Sequence, residues 1–140
     1  MKRLVSSAFL AACAVVLTAG PSAAQDKQPP RARVSIYRVA PGKQLEFLKW
    51  IAAQDEAAKE AGVAATQIYS HTDGDSWDYL GIAPTTTPEQ DKKVDEIAKK
   101  KGLKTGFAAS LEFRQFVAGH TDTFTIGPLT AAEMVAMAAK

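Results

Sequence analysis

The sequence predicts an α+β fold in which helices cover one face of a four-stranded antiparallel sheet. Three observations predict it. Short segments with period-two alternation recur at Arg33–Val39, within Ala65–Pro84 (two strands) and at His120–Ile126. Between them lie stretches with apolar residues at helical spacing. Thr72–Ser76, with Asp73-Gly74 at its centre, supplies the polar turn of a hairpin between the middle strands.

The first residues predict an address. Met1-Lys2-Arg3 is a basic start, Leu4–Ala19 is mostly apolar, Gly20-Pro21 breaks the run, and Ser22-Ala23-Ala24 places small residues before Gln25. That pattern is a secretory signal peptide over residues 1–24, so the mature protein is expected to be periplasmic or secreted. The apolar run is shorter than the roughly 18–20 residues that span a bilayer, and no membrane association is expected after cleavage. Leu10-Ala11-Ala12-Cys13 offers lipidation as the weaker alternative, because the chain stays hydrophobic after Cys13. Removing 24 of 140 residues leaves 116, enough for one domain. The sole cysteine departs with the leader, so packing alone must hold the fold. Lys2 and Arg3 depart too, and 17 basic residues become 15 against 15 acidic ones. A neutral mature chain gives no electrostatic reason to expect nucleic acid or anionic membrane as partner.

Residues 25–32 contain Pro29-Pro30 and read as a disordered lead-in; the domain proper spans 33–127, and 128–140 forms a terminal helix. In the first strand Val34 and Ile36 share one parity, and Ser35, Tyr37 and Val39 the other. After the Pro41-Gly42 turn, Lys43–Ala61 carries Phe47, Leu48, Ile51 and Ala58 on one helical stripe, flanked by Leu45 and Trp50. Gly62 is its C-cap.

In the hairpin, parity puts Ile68, Leu80 and Ile82 toward the helices, and Gln67, Tyr69, His71, Trp77 and Tyr79 on the opposite face. Thr87-Pro88-Glu89-Gln90 opens the next helix with a capping box and an N1 proline. That helix turns Val94, Ile97 and Ala98 inward and ends at Gly102. Lys99-Lys100-Lys101 reads as a complement to the helix dipole rather than an anion site. Thr105–Val117 is predicted as a further helix with Phe107, Leu111 and Phe116 inward and Phe113 unassigned, ended by Gly119. A second capping box, Thr130–Glu133, begins the last helix.

The order strand–helix–strand–strand–helix–strand is the split βαβ, ferredoxin-like arrangement, with expected strand order fourth, first, third, second. Val-Ser-Ile-Tyr-Arg-Val-Ala-Pro-Gly-Lys (34–43), the amphipathic helix after it and the aromatic hairpin resemble the dimeric α/β-barrel superfamily, with its NIPSNAP, EthD-like and antibiotic-biosynthesis-monooxygenase-like domains. The resemblance implies a homodimer whose two sheets form one barrel, with a cavity on the face away from the helices.

The candidate ligand-binding residues are therefore Tyr37, Gln67, Tyr69, His71, Trp77 and Tyr79, and the expected ligand is a small hydrophobic or aromatic molecule. His71 is the candidate catalytic residue, because an imidazole in a semi-apolar pocket suits proton transfer. Whether the chain is an enzyme stays open. One alternative is a monooxygenase-like enzyme, cofactor-independent or haem-linked through His71; the other is a structural dimer in which the aromatic face is only an interface. No cofactor is expected otherwise, and no metal, since neither histidine has a second one at i+2, i+3 or i+4.

His120 and Asp122 remain ambiguous: strict alternation sets them on the side of Phe124 and Ile126, whereas fraying, a bulge near Thr123 or a local cap places them elsewhere. No Gly-rich phosphate loop, Gly-x-Ser-x-Gly elbow or Cys-x-x-Cys pair is present.

Overall fold

The structure is a computed structural model that describes residues 29–139; the leader, Cys13 and the first part of the lead-in lie outside the described residues. The elements run β1 (Arg31–Val39), α1 (Gln44–Glu60), β2 (Gln67–Ser70), β3 (Tyr79–Pro84), α2 (Pro88–Lys100), α3 (Gly106–Phe113), β4 (Val117–Ile126) and α4 (Ala131–Ala138). All strand pairs are antiparallel and the sheet order is β2-β3-β1-β4. This is the ferredoxin-like order expected from the sequence. Among the described residues no helix is long and apolar enough to cross a membrane.

Local chemistry accounts for most boundaries. Thr87 caps α2 in a full capping box with Gln90, and Thr130 caps α4 in another with Glu133. Gly62, after α1, adopts φ +85°, which a side chain would resist. Lys101, just past α2, reaches Glu60 at the end of α1, Nζ to Oε1 2.5 Å, so that lysine ties two helices together. Its ammonium is held above its ordinary pKa, first by the hydrogen bond to Glu60.

Several boundaries differ from expectation. β1 begins at Arg31, inside the predicted lead-in, because Arg31–Val39 is paired along its whole length with β4. The middle hairpin is shorter than expected, with residues 71–78 forming a loop rather than a tight turn. α3 stops at Phe113, and Gly119 lies inside β4 rather than ending a helix. A Cβ there would approach the Arg38 guanidinium at 3.3 Å, so glycine lets that side chain lie over the strand. A bulge does occur, at Arg38/Val39 against Val117–Gly119; from Gly119 to Ile126 pairing is regular, with none near Thr123.

The core is aromatic, and this changes which face is which. Phe47 of α1 is fully buried, its ring stacked on Tyr79 (centroids 5.6 Å) and tilted against Tyr37 (5.0 Å). Phe113 of α3 meets Tyr37 edge-on at 6.1 Å. Ser35, Tyr37, Val39 and Tyr79 thus face the helices. Register carries the consequence across the sheet, because directly paired residues point the same way. Val34 pairs with Ile82 and Ile36 with Leu80, and these in turn pair with Gln67 and Tyr69. Val34, Ile36, Leu80 and Ile82 therefore lie on the open face. The expected sorting of aliphatic chains toward the helices is inverted in β1 and β3, and holds only in β2.

In α3 the inward residues are Ala109, Glu112 and Phe113, and Phe116, in the turn that follows, is half-buried too. Phe107 and Leu111, expected inside, share the outer face and are exposed.

Candidate functional site

The six residues expected to line one cavity are divided by the sheet. Gln67 and Tyr69 stand on the open face, with the Tyr69 hydroxyl 3.5 Å from Gln67 Oε1. His71 and Trp77 lie in the β2–β3 loop, rings 4.5 Å apart. Trp77 also lines a shallow groove with Ile36, Arg38 and Thr121. Tyr37 and Tyr79 are packed beneath the helices. A single aromatic cavity on the outer face is therefore not formed by these six within one chain. Paired residues of β2 and β3 have opposite parity, Tyr69 with Leu80 and Ser70 with Tyr79, so counting parity straight through the loop misplaced Tyr79.

The cleft that does form lies on the other side, between the sheet and helices α1 and α3. It encloses about 340 Å³, near the lower end of small-molecule sites. Tyr37, Trp50 and Phe113 supply an aromatic wall, and Trp50 and Phe113 meet at 5.5 Å. Trp50 is fixed from outside the cleft: its Nε1–H donates to Glu112 Oε2 at 2.9 Å, and Lys104 Nζ holds the other carboxylate oxygen at 3.0 Å. These bonds, first that from Lys104 and then that from Trp50, hold the Glu112 carboxyl below its ordinary pKa.

His120 and Asp122 also line the cleft, because regular pairing of β4 sets His120 opposite Tyr37 and Asp122 opposite Ser35. The Ser35 hydroxyl, 2 % exposed as a residue, donates to Asp122 Oδ1 at 2.6 Å. Asp122 Oδ2 lies 3.9 Å from His120 Nε2, and the His120 ring meets Phe113 edge-on at 4.9 Å. The strict-alternation alternative for this strand is the one the fold adopts.

At the far end Arg33, Gln54, Asp55 and Thr66 line both this cleft and a wider neighbouring groove that includes Phe124. Asp55 Oδ1 accepts from the Thr66 backbone N–H at 3.0 Å and from its hydroxyl at 2.9 Å, which pins the chain between α1 and β2.

Sequence reasoning missed Arg33, Trp50, Gln54 and Phe113. The available signal was on α1, where Phe47, Trp50, Ile51, Gln54 and Asp55 recur at spacings of three and four and put polar groups on the buried stripe.

His71, the candidate catalytic residue, lines neither this cleft nor the groove beside Trp77. Its imidazole lies against the Trp77 ring. Among the described residues no group of three His, Cys, Asp or Glu side chains is placed to hold a metal ion.

Neither a protein-family model nor a curated protein matches the chain. Solved structures do resemble it. An uncharacterized NIPSNAP domain protein from Burkholderia xenovorans is 11% identical, with 72% of this chain and 97% of that one covered and a TM-score of 0.46. A dimeric ferredoxin-like protein from an uncultured marine organism is 14% identical, covering 75% and 92%, with a TM-score of 0.45. A Chloroflexus aurantiacus protein described as an antibiotic biosynthesis monooxygenase is 13% identical, covering 71% and 96%, at 0.42. These are the kinds of protein the sequence resembles. The likeness concerns the course of the backbone, and the ferredoxin-like description stands on this chain's own strand order.

Proposed function

We propose that this chain is an exported, homodimeric binding protein for a small aromatic molecule, held between the sheet and helices α1 and α3 rather than on the outer face. The observation that carries the reading is the cleft of about 340 Å³, in which the rings of Tyr37, Trp50 and Phe113 stand beside the His120–Asp122 pair. Rings give stacking area at low entropic cost, and a few placed polar groups orient what is stacked.

Homodimerisation is supported by the open face, where Val34, Ile36, Leu80 and Ile82 form a contiguous aliphatic band and Ile36 is 39% exposed. A sheet face of this kind is stabilised by a second sheet packed against it. Export rests on the leader pattern, and intact mass of protein recovered from a periplasmic extract tests it. A mature chain beginning at Gln25 supports export, and an acylated Cys13 gives lipidation instead.

The binding test is a titration of mature protein with one-ring and two-ring aromatics, followed by ¹H–¹⁵N NMR. The Trp50 indole and the Ala109–Phe113 amides are expected to shift together, and Phe113→Ala to weaken binding about tenfold, the scale of a lost ring contact. If no aromatic moves these signals, the reading fails.

One observation favours an enzymatic second reading: His120, not His71, stands in the cleft with a carboxylate 3.9 Å away. Cofactor-independent turnover of an activated phenol that is lost in His120→Gln, with binding retained, would support it.

A further inference from the structure

At the far end of the cleft one buried donor has no acceptor among the described residues, and an exposed cation stands beside it. Gln54 Nε2 is buried and without a hydrogen-bond partner among the described residues. An amide N–H₂ taken out of water costs free energy until an acceptor meets it. Arg33 lines the same two cavities, and none of the described carboxylates pairs with its guanidinium. Of the carboxylates lining the cleft, Asp55 accepts through Oδ1 from both Thr66 donors and Asp122 through Oδ1 from Ser35.

On β1, Arg33 and Tyr37 are four residues apart on one face, a span of roughly 13 Å at about 3.3 Å per residue. On α1, Gln54 lies one turn beyond Trp50, about 6 Å along the axis. The aromatic wall, the unmet Gln54 amide and the Arg33 cation thus occupy adjoining segments of one cleft.

We infer that the ligand is an aromatic ring bearing an sp² oxygen, a carbonyl or a carboxylate, with the ring at Trp50 and Phe113 and the oxygen accepting from Gln54 Nε2 beside Arg33. The inference rests on the proposed binding reading and narrows it to one ligand class. Gln54 is the specificity-determining residue, because a buried donor left unmet discriminates against a ligand that lacks the acceptor. Arg33 sets the preference between a neutral and a charged oxygen, since a guanidinium matches a carboxylate in two parallel hydrogen bonds.

Three probes of nearly one shape test this: acetophenone, benzoate and cumene, titrated into mature protein and followed by the side-chain amide of Gln54 and the indole of Trp50. Acetophenone or benzoate is expected to bind about tenfold more tightly than cumene, and only the oxygenated probes to shift the Gln54 amide. In Gln54→Leu that tenfold difference collapses while cumene binding is retained. A benzoate preference abolished by Arg33→Gln identifies the carboxylate as the group recognised; equal binding of benzoate and acetophenone identifies the carbonyl. Equal binding of all three to wild type overturns the inference and leaves the binding reading intact. Silence of Trp50 toward all three overturns the binding reading itself.

Discussion

Gly81 shows how tightly the helix face of the sheet is filled. A Cβ there would stand 3.1 Å from Tyr37 Cε2, 3.3 Å from Thr66 Cγ2 and 3.4 Å from Ile68 Cδ1. Gly81→Ala is therefore expected to destabilise by about 1–3 kcal/mol through overpacking, read as a lower urea midpoint at unchanged slope; a neutral result would mean that the Tyr37 ring is free to move. Phe47→Ala empties the centre of the same core and is expected to cost about 3–5 kcal/mol. Glu112 makes a pH prediction. Its pKa in the folded chain lies below the ordinary 4.5, so its contribution to stability is complete above 4.5 and is lost as pH falls through the lowered value. The acid limb of stability in Glu112→Gln should be flatter below pH 4.5 than in wild type, while the two curves run parallel above it; superimposable acid limbs would refute the coupling. Of these residues only Phe47 was legible from the sequence, through its place on the helical stripe. A glycine in a strand and a glutamate on a helix acquire meaning only from what the fold sets beside them.

At the scale of elements, sequence and structure agree where information is local. Both capping boxes form, the α1 stripe is buried at Phe47, and the strand order follows from counting helices and strands. Disagreement arises where a choice is made across the sheet. Aliphatic residues were expected inward because they are the usual core material, but Phe47, Tyr37, Tyr79 and Phe113 fill that space, and Val34, Ile36, Leu80 and Ile82 take the other side. An alternating strand with apolar residues at both parities does not say which face is inside. The β2–β3 loop compounds this, since eight residues between paired strands break the count that a tight turn would preserve. α4 gives an element-scale prediction. All eight of its residues are exposed, so ending the chain after Gly127 should change unfolding free energy by less than about 0.5 kcal/mol. A larger loss, measured by urea titration, would mean that α4 is packed in the assembled protein.

For the whole molecule, the division of labour between two faces is the organising fact. One face closes over a cleft with helices, and the other presents an aliphatic band suited to a second copy. Ile36→Lys sets a charge in the middle of that band and is expected to convert a dimer to monomers in sedimentation velocity, with the cleft still able to bind; a dimer unaffected by this change would move the contact elsewhere. The two faces also carry one indole each. The chain has two tryptophans, Trp50 in the cleft and Trp77 in the groove with Ile36 and Arg38. Emission from the native protein is thus a sum over two separately placed lamps. Replacing either one with phenylalanine leaves a single-wavelength gauge of ligand occupancy or of subunit contact, with no dye attached.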